Sequence, residues 1–241
     1  MTEPSPLNGI LRDLVLANRI LAHENVIDAF GHVSVRHPDN PDRFLLSRSR
    51  SPALVTSDDI MEFERDGSVV AGDTRRPYAE RYIHAAIYIA RPDVHAVAHH
   101  HAPAVLPFSL IDTPLRPAFH LAAVIGPVVP VWDSQPEFGD TAMLVDSLEM
   151  GQSLAGTLAD NAAALLRGHG AVCAAASLKA VCMTAIYMRD NAELILRTLP
   201  LGQPRYLSPG EIEKTATIHL RGMPLERAWD YWVARADLRD V

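Results

Sequence analysis

Apolar and polar residues follow two different periods along the chain, and each period predicts its own kind of element. Helical patterns cover 11–25, 79–90, 141–158, 177–199 and 225–238, with shorter helices expected at 103–110 and from Ser208. Short apolar or alternating runs predict strands at 29–36, 43–47, 96–101, 162–166 and 171–174, and the proline-rich stretch 124–132 is expected to be an extended edge strand. We therefore predict a single α/β domain over residues 1–241, with strands of mixed direction and helices on both faces.

The composition narrows the range of functions. The hydrophobic share of 48% and the charged share of 21% are ordinary for a globular protein. Acidic residues outnumber basic ones 29 to 22 without a basic cluster, which argues against binding to nucleic acid. The chain shows neither the pattern of a signal peptide nor an apolar run of roughly 20 residues, so no membrane association is expected. Cys173 and Cys182 lie in apolar surroundings, which predicts buried free thiols and a cytoplasmic protein.

Three consecutive histidines end the strand predicted at 96–101. Because successive side chains of a strand point to opposite faces, His99 and His101 share one face and His100 points away. Two residues of strand separate the Cα atoms of His99 and His101 by roughly 6.5–7 Å, so their imidazoles can converge on one divalent metal ion. The alternative is a set of strand histidines with ordinary hydrogen-bond partners, and two ligands alone do not complete a metal site.

Further candidate ligands lie elsewhere in the chain. His169 stands between two glycines, which allow a tight turn and a close backbone approach. With His99 and His101 it makes three histidines, the usual protein share of an open catalytic metal site. Glu80, on the predicted helix 79–90, can ligate a metal or act as an acid/base, although most helix glutamates are simply solvated. His84 lies one turn later on the same helix face, either beside the site or in a structural role.

The ordered set of these motifs resembles the class II aldolase/adducin family. The set is a Gly-x-x-Ser run from Gly31, a glutamate nineteen residues before a His-x-His, and a late Gly-His-Gly, and the resemblance covers about residues 8–235. It implies an α/β/α layered domain with a largely antiparallel central sheet, and a homotetramer with active sites between neighbouring subunits. It also implies that His99, His101 and His169 hold one divalent metal ion per chain (Mn²⁺, Zn²⁺, Fe²⁺ or Co²⁺), with Glu80 as the acid/base.

Departures from the sugar-phosphate aldolases of this family indicate a different substrate. Those aldolases hold phosphate with Gly-Asn, Ser-Gly and Ser-Ser pairs, whereas the corresponding pairs here are Gly31-His32, Ser47-Arg48 and Tyr78-Ala79. An imidazole, a guanidinium and a phenol favour a flat anion, and Arg48 can grip a carboxylate with two N–H donors. We therefore expect a small-molecule carboxylate as substrate, bound by residues that include Gly31, Ser47, Arg48 and Tyr78.

The resemblance extends to family members that decarboxylate hydroxylated aromatic or pyridine dicarboxylates, a reaction of aromatic compound catabolism. Such a reaction needs a proton at the ring carbon, for which Glu80 or a water it orients is the first candidate and His32 the second. Two alternatives stay open. One is an aldolase that cleaves a non-phosphorylated hydroxy-keto acid, and the other is a non-catalytic adducin-like scaffold, against which the complete set of metal ligands argues.

Overall fold

The computed structural model describes residues 6–238 and 241, and over this part of the chain a seven-stranded sheet forms the centre. The strands are β1 His32–Arg36, β2 Arg43–Ser47, β3 Ile60–Glu64, β4 Ala96–His100, β5 Val131–Trp132, β6 Ala163–Leu166 and β7 Gly170–Ala175. Their order across the sheet is β3-β2-β1-β4-β7-β6-β5. Neighbouring strands are antiparallel except for β5 and β6, which run parallel. The predicted largely antiparallel sheet is therefore confirmed.

Helices cover both faces of this sheet. They are α1 Pro6–His23, α2 Arg81–Ala90, α3 Gln135–Phe138, α4 Leu148–Leu158, α5 Leu178–Thr198, α6 Pro209–His219 and α7 Gly222–Arg235. Short 3-10 helices connect some of them, at Pro52–Leu54, Ser57–Asp59, Leu106–Ser109, His120–Ile125 and Leu199–Leu201. The predicted serine caps form, because the Ser177 and Ser208 hydroxyls accept hydrogen bonds from the first turns of α5 and α6.

Two apolar cores lie on opposite sides of the sheet, because side chains alternate along each strand. In β7, Ala171 and Cys173 face the core built from α1, α5 and α7, whereas Val172 and Ala174 face the core built from α2 and α4. The result is the predicted α/β/α layering. Residues 1–5 and 239–240 lie outside the described part of the chain, and a single domain over 1–241 stays a prediction.

Two predicted elements differ from the structure. The helix predicted at 141–158 begins only at Leu148, because Ser147 caps it and residues 141–147 form an irregular segment instead. The stretch 124–132 is extended only towards its end, where β5 is an edge strand as predicted, since residues 124 and 125 belong to a 3-10 helix. No helix in the described residues has the length and apolar character that a bilayer crossing requires.

Candidate metal centre and adjoining cavity

Three neighbouring strands of the sheet, β1, β4 and β7, each have one terminus at the candidate site. β4 pairs with β1, where His32 is opposite His99, and with β7, where His99 is opposite Val172. Because both pairings are antiparallel, the end of β4 meets the starts of β1 and β7. His32, the histidines that end β4, and His169 just before β7 are therefore brought together.

Two glycines allow these strands to approach closely. A Cβ atom on Gly31 would lie 2.8 Å from the carbonyl oxygen of His99, and the residue has a φ of +97°, which favours glycine. A Cβ atom on Gly170 would lie 2.3 Å from the carbonyl oxygen of His100. Any larger residue at either position would push the neighbouring side chain, His32 or His169, away from β4.

Four side chains form the candidate metal centre. One ligand atom from each of Glu80, His99, His101 and His169 lies within 4.8 Å of the others. The Nδ1 atom of His99 donates a hydrogen bond to the carbonyl of Ala171 at 3.1 Å, so its Nε2 atom carries the lone pair. This Nε2 atom is buried and has no hydrogen-bond partner among the described residues. Three imidazoles and a carboxylate are a donor set that suits a divalent transition metal, and the unpartnered Nε2 atom of His99 is left free for it, so the residues fit such an ion.

Two of the histidine ligands, His101 and His169, are held in the neutral form that binds metal. Burial lowers the pKa of His101 to about 4, with further lowering by His99 and His169. Burial also lowers the pKa of His169 below its ordinary value. His100 points away as predicted and lies in the core, with its Nε2 atom 3.8 Å from the sulfur of Cys173.

Glu80 immediately precedes α2 and is held in a fixed position. Its Oε1 atom accepts a hydrogen bond from the backbone N–H of Val145 at 3.1 Å. Its two oxygens lie 3.5 Å from Nε2 of His99 and 3.7 Å from Nε2 of His169. Burial by itself raises the pKa of this carboxyl, but the surrounding histidines outweigh it and hold the pKa well below its usual range. Glu80 is therefore an ionised, oriented carboxylate.

A cavity of about 430 Å³ opens next to these ligands, a size typical of small-molecule sites. Its lining includes Phe30, His32, Arg50, Tyr78, Glu80 and His169. The His32 ring is buried, with its centroid 4.5 Å from the Tyr78 ring and 5.2 Å from the His99 ring. Gly31 also lines the cavity, so the predicted Gly31-His32 pair does border it.

The loop after β2 carries two arginines, Arg48 and Arg50, and only Arg50 borders the cavity. Arg48 donates from Nε to Asp59 at 2.6 Å and does not belong to the residues that line the cavity. Arg50 does line it. Its Nη1 atom donates to Asp59 at 3.5 Å, and its Nε atom, 3.4 Å from Asp59, is buried without a hydrogen-bond partner. The substrate-binding role predicted for Arg48 stays a prediction, and the structure adds Arg50 as a second candidate.

Tyr78 ties this loop to the cavity wall. Its hydroxyl donates to the carbonyl of Arg50 and accepts from the N–H of Arg50 at 3.3 Å and from the hydroxyl of Ser47 at 3.4 Å. Because its hydroxyl is engaged in this way, Tyr78 offers the cavity mainly its ring. Ser47 is buried beneath it.

Sequence reasoning did not identify several residues of the cavity. Arg50 was indistinguishable from Arg48, because both are arginines in one short loop. Phe30 and Leu144 line the cavity although they are 71% and 40% exposed, and no period marks such isolated residues. Val145 contributes through its backbone N–H, which any residue type except proline provides.

The fold and these residues define an α/β protein with a candidate metal centre at one end of three adjacent strands. The chain belongs to the class II aldolase and adducin family, because the Class II Aldolase and Adducin N-terminal domain matches residues 12–196.

Individual proteins resemble nearly the whole chain. Decarboxylase tropJ of Talaromyces stipitatus is 30% identical, with 96% of each chain covered. The 3,4-dihydroxyphthalate decarboxylase of Arthrobacter keyseri is 32% identical over 82% of this chain and 83% of its own. The crystal structure of an aldolase II superfamily protein from Pseudomonas syringae has the same fold, with a TM-score of 0.80 at 21% identity over 98% of this chain and 95% of that chain.

Proposed function

We propose that the protein is a divalent-metal-dependent decarboxylase that acts on a hydroxylated aromatic or pyridine dicarboxylate. Membership of the class II aldolase family, with decarboxylases among the relatives, makes the chain a lyase. The observation that carries the choice of substrate is the position of Arg50, whose side chain borders the same cavity as Glu80. Asp59 accepts a long hydrogen bond of 3.5 Å from the Nη1 atom of Arg50, whose Nε atom has no hydrogen-bond partner. A dicarboxylate places one carboxylate at the metal centre and leaves the other for such a guanidinium.

His99, His101 and His169 would hold one divalent ion per chain, with Glu80 beside it. The metal is proposed to be Mn²⁺, Zn²⁺, Fe²⁺ or Co²⁺, which imidazole ligands suit. When bound, the ion supplies Lewis-acid stabilisation of oxygen charge next to the breaking carbon–carbon bond.

The residues of the cavity then have separate tasks. Arg50 and the Tyr78 ring orient the substrate, with Gly31 leaving room for it and Ser47 supporting Tyr78. In the reaction, the bond between ring carbon and carboxylate breaks, its electron pair stays on the ring carbon, and CO2 leaves. Because Glu80 is ionised at rest, it first takes the proton of the substrate's ring hydroxyl. It then delivers that proton, directly or through a water that it orients, to the ring carbon, which restores the carbon–hydrogen bond.

The function is tested by a product assay on purified enzyme. A panel of 3,4-dihydroxyphthalate, a pyridine dicarboxylate and a hydroxy-keto acid would be incubated with the metal-loaded protein. Release of CO2 from an aromatic diacid is the expected result. Release of pyruvate or an aldehyde from the keto acid alone would establish an aldolase instead, and no product from any compound would favour a scaffold.

The diacid part of the proposal is tested by comparing Arg50→Ala with Arg48→Ala. Loss of one partner of a buried charge pair costs roughly 2–5 kcal/mol, so Arg50→Ala should lower kcat/KM strongly for the diacid. A monocarboxylate analogue without the second carboxylate should be insensitive to the change. A large loss in Arg48→Ala and none in Arg50→Ala would return the role to Arg48.

Metal analysis tests the ligand set separately. We expect about one divalent ion per chain in the unchanged protein, by the usual stoichiometry of an open histidine site. The His99→Ala/His101→Ala double variant should lose it, whereas His95→Ala, at the other end of the same strand region, should keep it. Undiminished metal content in the double variant would contradict the assignment.

We also propose that the protein is a cytoplasmic homotetramer with sites between subunits. Phe30 and Leu144 support this arrangement, since both are apolar, exposed and placed at the cavity. The cytoplasmic location is supported by Cys173 and Cys182, which are buried and unpaired.

A further inference from the structure

A buried chain of four polar side chains leads away from the cavity. The Nδ1 atom of His32 lies 2.6 Å from the Nε2 atom of His84. The Nδ1 atom of His84 lies 2.6 Å from the hydroxyl of Ser34, which in turn lies 2.8 Å from the hydroxyl of Tyr88. All four side chains are at most 2% exposed, so water does not compete for these hydrogen bonds.

Two elements, β1 and α2, contribute two side chains each to this hydrogen-bond chain. His32 and Ser34 are two residues apart on β1 and therefore share one face of the sheet. His84 and Tyr88 are four residues apart on α2 and share one face of that helix. A polar network enclosed in an apolar core is costly unless each donor finds an acceptor, so its hydrogen atoms can be assigned by counting.

The counting starts from neutral groups. Burial lowers the pKa of His84 to about 3 and raises the pKa of the Tyr88 phenol, so each imidazole carries one ring proton and Tyr88 keeps its own. His32 is 2% exposed and forms no hydrogen bond to a carboxylate in the described part of the chain, so a second ring proton would be a buried, unpaired charge and His32 also carries one ring proton. Two continuous directions of the hydrogen-bond chain then remain, and each fixes the tautomer of both histidines. A third arrangement, in which Ser34 accepts from both His84 and Tyr88, leaves the Ser34 hydrogen without an acceptor.

Only one direction satisfies every buried donor. In this direction Tyr88 donates to Ser34, and Ser34 donates to Nδ1 of His84. The Nε2–H group of His84 then donates to Nδ1 of His32, so every hydrogen of the buried network has an acceptor. In the reverse direction Ser34 donates to Tyr88, and the hydroxyl hydrogen of Tyr88 then has no acceptor, since the other partner of this hydroxyl, the backbone N–H of Val97, is itself a donor. An unsatisfied buried donor costs about 1–3 kcal/mol, which decides for the first direction.

We propose that Ser34, His84 and Tyr88 are positioning residues that hold His32 in the tautomer with its proton on Nε2, directed at the cavity. The His32 ring forms no other hydrogen bond in the described part of the chain, so Nε2 is the nitrogen left for a ligand. An N–H group at this point donates to a substrate anion, whereas the other tautomer would present a lone pair that repels one. The donation to a substrate anion rests on the proposed function, whereas the tautomer of His32 does not.

The tautomer is measured by long-range ¹H–¹⁵N correlation NMR on the full chain, labelled with ¹⁵N-histidine and loaded with diamagnetic Zn²⁺. The pattern of cross-peaks distinguishes a proton on Nε2 from one on Nδ1, and the His32 signals are assigned by their loss in His32→Asn. We expect the pattern of a single Nε2–H tautomer for His32. A single Nδ1–H pattern in the unchanged protein would overturn the proposal, whatever any variant does.

Ser34→Ala tests the origin of the tautomer, because it removes the only donor to Nδ1 of His84. We expect both tautomers of His32 in this variant, and a kcat that falls roughly 10-fold to 100-fold while KM changes little. Thr184→Val is the matched control, since it removes another buried hydroxyl, one that donates to the carbonyl of Ala180 in α5. It should leave both quantities unchanged.

The outcomes separate this inference from the proposed function. If Ser34→Ala keeps a single Nε2–H tautomer and normal kcat, the chain does not position His32 and the inference is wrong. A protein that decarboxylates none of the offered substrates but shows the Nε2–H tautomer would retain this inference and refute the proposed function.

Discussion

At the scale of a single residue, Glu80 is placed both to lie beside a metal ion and to act as an acid/base. Its Oε1 atom accepts from the N–H of Val145, while both oxygens lie within 4 Å of ligand histidines. The backbone contact fixes the direction of the carboxylate independently of any metal. A glutamine can keep that contact through its own carbonyl oxygen, so the charge can be removed without removing the geometry.

Glu80→Gln should therefore lower kcat by roughly two to four orders of magnitude, the range of a lost acid/base. Metal content should fall much less than in the variant that lacks two histidines. The measurements are steady-state kinetics and metal analysis, with Glu62→Gln on the exposed side of β3 as control. Near-normal turnover in Glu80→Gln would show that the carboxylate is not the acid/base.

Asp59 orders the loop that carries both arginines, and its effect depends on pH. Burial raises the pKa of this carboxyl, but hydrogen bonds from Thr56 and Arg48 outweigh it, so the net pKa is lowered. A carboxyl with a lowered pKa stabilises the fold above about pH 4, and this stabilisation is lost as the pH falls through the lowered value.

Asp59→Asn should accordingly reduce the free energy of unfolding by roughly 1–2 kcal/mol at pH 7, a modest value because Arg48 is about one-third exposed and solvent screens the pair. The difference from the unchanged protein should shrink below about pH 4. Urea unfolding at both pH values measures it, and the exposed neighbour Asp58→Asn is the control. A difference independent of pH would contradict the ionic explanation.

At the scale of elements, the turn between β6 and β7 depends on close backbone contact. Gly170→Ala places a Cβ atom 2.3 Å from the carbonyl oxygen of His100, so the strands must separate. We expect a loss of roughly 1–3 kcal/mol in stability, as for other overpacked sites, and weaker zinc binding because His169 moves with the turn.

Gly156→Ala is the comparison, since nothing lies within 4 Å of its added Cβ and the residue is exposed inside α4. That variant should gain roughly 0.5–1 kcal/mol from helix propensity and bind zinc normally. Thermal unfolding and zinc titration measure both effects. Equal stability in the two variants would show that the contact at Gly170 relaxes freely.

The sequence could predict those elements whose pattern is local. The β2 strand at Arg43–Ser47 matches its predicted bounds. The cap of α5 follows from Ser177, and that of α6 from the spacing of Ser208 and Glu211. Residues 141–147 were wrongly predicted as helix, because the N–H of Val145 bonds to Glu80 on a distant segment and no local period records that contact. The three histidines and Glu80 were identified from motifs, whereas Arg50 and Leu144 depend on where loops pass in three dimensions.

At the scale of the molecule, α7 is the last helix of the described chain and carries one exposed and two buried aromatic residues. Trp229 and Trp232 are buried in the core, and Tyr231 is 56% exposed between them. Tyr231 and, at the separate cavity, Phe30 and Leu144 are exposed apolar side chains that the proposed tetramer would bury. We expect a tetramer by light scattering at micromolar concentration, and a monomer under those conditions would contradict the proposed assembly.

The position of β4 between β1 and β7 also bears on folding kinetics. His32 pairs with His99, and His99 with Val172, so the metal donors come together only when strands distant in sequence have joined. Contacts of such long sequence separation form slowly and late. A divalent ion held by these donors would then find no partly assembled site in the transition state for folding. It would therefore slow unfolding far more than it speeds refolding, and so lengthen the lifetime of the native sheet without guiding its formation.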